Sequence, residues 1–229
     1  MREKIVYALC AVTALLLARN LYGIFLSLPD EAAQGAIYRI LFFHAPAAMV
    51  AFIGYGVALV ASVLYLVTKN LRYDAIAAAT TEVSLAFAAV NLVTGSIWAR
   101  IIWGIWWTWD HRLTSTLIGW ILYAGYVMLR RAIEEPTQRA RMCAVLSIFA
   151  FSDIIIIWKS IEWWRNQHPG PVLDIRTGGG QIDPAMNSMI MWNLLALLLL
   201  WTVLVMVRMR QEEMRRELDG LRQMAHASA

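Results

Sequence analysis

The sequence predicts an all-α integral membrane protein with about six transmembrane helices and its functional loops on the outer face. Three observations carry that prediction. Of 229 residues, 60% are hydrophobic and only 16% charged, against roughly 45–50% and about 25% in soluble domains. The apolar residues fall into runs close to the ~20 residues a helix needs to cross a bilayer. Lys and Arg are spread unevenly over the connections between those runs, as the positive-inside rule expects of a multi-pass chain. Together these exclude a disordered, fibrous or disulfide-stapled secreted protein, and an ordinary soluble enzyme.

The apolar runs lie at about 5–28, 45–68, 75–98, 113–129, 142–158 and 188–207. The first starts close to Met1, is long, and ends without a small-residue cleavage site, so it reads as an anchor. The fourth and fifth are the shortest, and their ends can extend into the adjoining loops. Residues 1–207 form a membrane domain on this reading, and 208–229 a charged cytoplasmic tail. Charge signs alternate in the tail at helical spacing, which predicts a solvated helical extension.

Orientation follows from the cations. Arg2, Lys4, Lys69, Arg72, Arg130, Arg131, Arg139, Arg141, Arg208, Arg210, Arg215, Arg216 and Arg222 fall on one side. Arg39, Arg100, Arg112, Lys159, Arg165 and Arg176 fall on the other. This bias places both termini in the cytoplasm. The net charge of +4 is then a topology signal and no nucleic-acid site. Cys10 and Cys143 sit in apolar runs without CxxC or metal-type spacing, and read as small buried side chains. Three outer loops remain, at about 29–44, 99–112 and 159–187, the last with the flexible Gly178-Gly179-Gly180.

The middle outer loop holds Trp103, Gly104, Trp106, Trp107, Trp109, Asp110, His111 and Arg112 within ten residues. Trp98, Trp158, Trp163, Trp164 and Trp192 fall near the same face. An aromatic belt would anchor both interfaces, and does not explain the one-sided excess. Indoles stack on large flat apolar ligands while their N–H groups reach polar edges. Arg39, Arg100 and Arg112 could pair with carboxylates on such a ligand's rim. Haem fits: a planar macrocycle with two propionates and an iron that takes axial ligands.

Two outer-face histidines flank the cluster in sequence. His44 stands where the first outer loop meets the second span. His168 stands in the third outer loop, before Pro169-Gly170-Pro171. Imidazoles from separate loops could clamp an iron from both sides. His111, next to the tryptophans, ranks third, and His226 in the tail is set aside.

The string Trp103-Gly-Ile-Trp106-Trp107-Thr-Trp109-Asp110-His-Arg112-Leu113-Thr114-Ser115 resembles the WWD signature of the haem-handling proteins of cytochrome c maturation, the CcmC, CcmF and CcsA superfamily. Thr94-Gly95-Ser96-Ile-Trp98 and Leu122-Tyr123-Ala-Gly125-Tyr126 look like its flanks. Pro29-Asp30, Gln34-Gly35, Arg39 and His44-Ala-Pro46 resemble the first outer loop of CcmC, and Trp163-Trp164-Arg165 with His168 the third. Size and histidine count are closest to CcmC. The resemblance implies a multi-pass protein of the bacterial inner membrane that holds non-covalent haem b at its outer face. It implies His44 and His168 as axial ligands and Trp103, Gly104, Trp106, Trp107, Trp109 and Asp110 as the platform. It also implies delivery to the haem chaperone CcmE, with the ABC transporter proteins CcmA and CcmB and the small protein CcmD as partners.

Other function classes are weaker. The chain has no GxxxxGK[ST] phosphate loop, so ATP use would come from a partner. A transmembrane haem transporter or a membrane cytochrome would want histidines inside the spans, and none is predicted there. A CcsA-like haem lyase is the remaining alternative. Arg19, Glu82 and Asp153 fall inside predicted spans, where charge is costly. They read as an interhelical ion pair, Arg19 with Asp153 or Glu82, or as a proton or substrate relay.

Overall fold

The computed structural model describes residues 2–164, 168 and 183–227. Arg165, Arg176, Pro169-Gly170-Pro171 and the glycine run lie outside the described residues, as does the side chain of His226. Six α-helices make up the described part: α1 Arg2–Tyr22, α2 Leu41–Thr68, α3 Leu71–Trp103, α4 His111–Ala132, α5 Pro136–Trp163 and α6 Pro184–Ala227. Five are long and apolar enough to cross a membrane; α4 is not among them on composition. The chain is a multi-pass membrane protein.

Each helix boundary has a local cause. Lys69 takes a left-handed φ of 58° and closes α2, its N–H reaching the Tyr65 carbonyl. Asn70 then caps α3 through the Arg72 amide at 2.9 Å. Glu135 caps α5 through the Thr137 and Gln138 amides, with Pro136 in the first turn. Those backbone bonds hold the exposed Glu135 carboxyl below its usual range.

Several boundaries differ from the sequence reading. Helix α3 runs on to Trp103, so the outer loop expected at 99–112 contracts to residues 104–110. Ile101, Ile102 and Trp103 continue the apolar helix, and nothing breaks it before Gly104. The first loop contains a 3₁₀ turn, Ala36–Ile40, that leads straight into α2. His44 is therefore inside a helix and inside a candidate membrane span, Ala36–Thr68, where the sequence reading expected no histidine. Pro46 is interior to that helix, and the Phe42 carbonyl that its missing N–H leaves free accepts the Asn193 amide at 2.6 Å. Helix α5 spans 28 residues, well beyond the run at 142–158.

The charged tail continues α6 without a break, but it is not solvated throughout. Glu212 is buried and pairs with Arg130 at 3.2 Å. Arg130 in turn makes a bidentate pair with Asp74, at 2.7 and 2.8 Å. Arg208 clasps Glu82. The expected partner of Glu82, Arg19, instead lies over the Trp192 ring at 4.7 Å, a cation–π contact. It does not pair with Asp153 either. Arg208 reaches Glu82 because α6 packs beside α3 at this depth, while Arg19 leaves α1 beside Trp192 of α6.

The centre of the bundle is made of small and aromatic residues from α2 to α6, including Ala47, Val50, Ala51, Tyr55, Phe87, Tyr123, Ala150 and Ile154. Small residues let helix backbones approach closely where no hydrophobic drive acts between helices. Asn20, Asn193 and the Phe42 and Trp192 carbonyls tie α1, α6 and α2 together by hydrogen bonds. The loop 104–110 crowns one end, the tryptophan end. The Asp74–Arg130–Glu212 cluster closes the other.

Candidate functional site: a tryptophan- and histidine-lined cavity

Gly104 ends α3 with a φ of 76°, a left-handed conformation open to glycine at no steric cost. Arg100 donates to the Gly104 carbonyl and closes that helix end. Asp110 starts α4 as its N-cap, accepting the Leu113 amide on Oδ1 at 2.8 Å. Its other oxygen accepts the His168 amide at 3.3 Å. The two ends of the tryptophan loop are thus fixed, and one of them is joined to the third loop.

His44, in the first turns of α2, faces α3. Its Nδ1 lies 3.1 Å from Thr94 Oγ1, whose own proton goes to the Val90 carbonyl at 2.7 Å. The Thr94 oxygen is therefore free to accept from the ring, while the Asn91 amide nitrogen, a donor, stands 3.2 Å from Nδ1 and 3.3 Å from Nε2. With its proton on Nδ1 against Thr94, the ring would offer an Nε2 lone pair that either the Asn91 amide or a metal ion can take. The Asn91 amide donates to the His44 carbonyl at 3.2 Å. Gly95 leaves the ring its space: a Cβ there would stand 2.8 Å from His44 Cε1. Trp98 meets the imidazole edge-on at 5.9 Å and donates its indole N–H to Gln34 at 2.8 Å.

These groups border a cavity of about 410 Å³, inside the 300–1,000 Å³ range of small-molecule sites. His44, Asn91, Gly95 and Trp98 form one wall. Trp103, Trp106, Trp107 and Arg112 come from the α3–α4 junction, Ile157 and Trp158 from α5, and His168 from the third loop. Burial pulls the Arg112 guanidinium below its ordinary value and Asp110 draws it back up; it stays a cation at any working pH. The Trp107 indole N–H and the Thr108 and Thr114 hydroxyls are buried without a hydrogen-bond partner among the described residues. Of these, Trp107 lines the cavity, and a donor in that state suits a ligand with polar edges.

The structure therefore brings together His44, His168, Trp103, Trp106, Trp107 and Arg112. It sets the other sequence-derived residues apart from the cavity wall. Trp109 is 77% exposed and packs edge-on against Trp107 at 5.9 Å. It borders a separate open depression with Trp106, Trp107 and Leu117. Arg39 is spent on the Ile24 and Leu28 carbonyls, at 2.8 and 3.0 Å, and on Asp30. Arg100, Gly104 and Asp110 shape the loop. His111 stacks on Trp164 at 4.7 Å, with the planes 8° apart.

Sequence reasoning noted Thr94 and Gly95 only as part of a flank of the tryptophan loop, and missed Asn91 and Ile157. A signal was present: Asn91, Thr94 or Gly95, and Trp98 recur at three- and four-residue steps, one face of a helix.

Comparison with known proteins decides the family. The model of the heme exporter protein C family matches residues 1–224. The chain belongs to the CcmC family. Its relatives include the heme exporter protein C of Bradyrhizobium diazoefficiens, 37% identical over 216 residues, covering 94% of this chain and 81% of that one. That of Escherichia coli strain K12 is 35% identical over 182 residues, 80% and 73% of the two chains. That of Paracoccus denitrificans is 32% identical over 215 residues, 93% and 86%. CcmC membership carries haem export and cytochrome c biogenesis with it, and partners within the Ccm system.

Proposed function

We propose that this chain holds haem as cargo in the tryptophan-end cavity and hands it to a periplasmic haem chaperone of the CcmE kind. The observation that carries the reading is the convergence of His44 and His168, from separate elements, on one cavity walled by Trp103, Trp106 and Trp107. Neutral imidazoles bind iron, and opposed placement makes it six-coordinate. Indole faces cover the macrocycle, and Arg112 supplies a fixed cation for a propionate. Arg39, Arg100, Gly104, Trp109 and Asp110 act on the site by shaping its rim.

In this reading the cavity faces the outside of the bacterial inner membrane and both termini are cytoplasmic. The chain works as a subunit beside CcmA, CcmB and CcmD, without turnover chemistry of its own. Reporter fusions at Asn70 and Glu135 should behave as cytoplasmic and one at Gly179 as external; the reverse pattern overturns the orientation.

The test of the site is the absorption spectrum of the purified protein. Either histidine replaced by Ala should move the spectrum away from bis-histidine. Replacing both should remove most haem, with added imidazole restoring part of it. A double variant that keeps a bis-nitrogen spectrum without imidazole shows that another ligand holds the iron.

A further inference from the structure

Beneath the cavity, α4 and α5 share a polar seam that haem binding does not use. On α4, Gly119, Tyr123, Tyr126 and Arg130 follow one another at helical steps along the buried face. On α5, Asp153, Ala150, Ser147 and Cys143 do the same. Tyr55 of α2 stacks on Tyr123, with centroids 3.6 Å apart and planes within 4°.

Tyr123, Tyr126, Ser147 and Ser62 are 0% exposed, Tyr55 2% and Asp153 7%. The hydroxyls of all five and Asp153 Oδ2 have no hydrogen-bond partner among the described residues. Gly119 leaves the carboxylate its place: a Cβ there would lie 2.6 Å from Asp153 Oδ2. Asp153 sits one turn below Ile157, and Gly119 three residues below Thr116; both Ile157 and Thr116 line the cavity. At the far end, Tyr126 stands one turn from Arg130 and its partners Asp74 and Glu212.

Buried polar groups in proteins are nearly always paired. Buried water typically bonds to polar groups that the protein itself leaves unsatisfied. We propose that the seam is a hydrated proton path, with Asp153 as the exchanging carboxyl, running from the cavity floor to the Asp74–Arg130–Glu212 cluster. A proton arriving at the Asp153 carboxylate makes the carboxylic acid. The water that gave it takes one from the next hydroxyl, and so on along the seam. Only O–H bonds form and break, and each hydroxyl ends as it began. In this direction the last proton is drawn from water at the far cluster; in the reverse direction a carboxylate there, Asp74 or Glu212, receives it. The titratable and charged groups facing the path are Tyr55 of α2, Asp74 and Glu82 of α3, Tyr123, Tyr126 and Arg130 of α4, Cys143 and Asp153 of α5, and Arg208 and Glu212 of α6.

The test uses the full chain in nanodiscs without haem, so it does not depend on what the cavity holds. Infrared spectra are compared for the native protein, Asp153→Asn and Tyr123→Phe while the pH is stepped. A protonated-carboxyl band should be present, vanish in Asp153→Asn, shift within minutes of transfer to D₂O, and move in Tyr123→Phe. A band that fails to exchange over hours, or no Asp153 band at any pH, overturns the proposal. Melting provides a second readout. In a dry seam, Tyr55→Phe and Tyr123→Phe relieve orphaned hydroxyls and raise the melting temperature. In a hydrated one they leave it unchanged or lower it.

Discussion

Asp110 holds the Leu113 amide on one carboxylate oxygen and the His168 amide on the other. A single side chain thus caps α4 and tethers the loop that carries a cavity histidine. The two duties separate chemically. Asparagine still caps a helix through its one oxygen, but its amide group turns a donor toward the His168 N–H.

Asp110→Asn should therefore melt close to the native protein yet hold less haem. Asp110→Ala should lose both duties and about 1 kcal/mol of stability with the cap. Melting curves and Soret absorbance, taken on the same preparations, check both halves.

Gly95→Ala should behave against the helix scale. Alanine in a helix interior normally gains roughly 1 kcal/mol over glycine. Here the new methyl would press on His44 Cε1 and swing the imidazole. The expected result is a changed haem spectrum with little loss of fold. An unchanged spectrum would mean that the ring position does not govern iron binding.

Trp107 and Trp109 should part company. Trp107 faces the cavity, and Trp109 only supports it from outside. Trp107→Ala should lower haem affinity by on the order of 1 kcal/mol or more, the worth of a lost aromatic contact. Trp109→Ala should cost clearly less. Titration of each variant with haem ranks them.

Arg130→Met should destabilise the bundle strongly, by about 3–5 kcal/mol, because it strands Asp74 and Glu212 in a buried place. The combined variant Arg130→Met, Asp74→Asn, Glu212→Gln should recover much of that loss. Unfolding in detergent measures both, and haem content per folded molecule should stay level.

The membrane class, the helices and the main cavity residues were legible because each leaves a local mark. Apolar runs report spans, and the WWD string reports the loop. What was not legible depends on where helices end up beside one another. Nothing near Glu82 in sequence says that its partner is Arg208 and not Arg19, since that depends on α6 packing beside α3. Likewise the arginines of the first and second loops look alike in sequence. Only the packing shows that Arg39 serves backbone carbonyls, Arg100 a helix end, and Arg112 the cavity.

Helix α6 has one more consequence. Its 44 residues make a rod of about 66 Å at 1.5 Å per residue, roughly twice the hydrocarbon thickness of a bilayer. Ile190 on this rod forms part of the cavity wall, and Glu212, about 33 Å further along, is gripped by Arg130. A continuous helix transmits a push with little give. A protein that seized the protruding end and drew it aside would strain the Arg130 clamp, and through the same rod would lean on the wall against which the cargo rests.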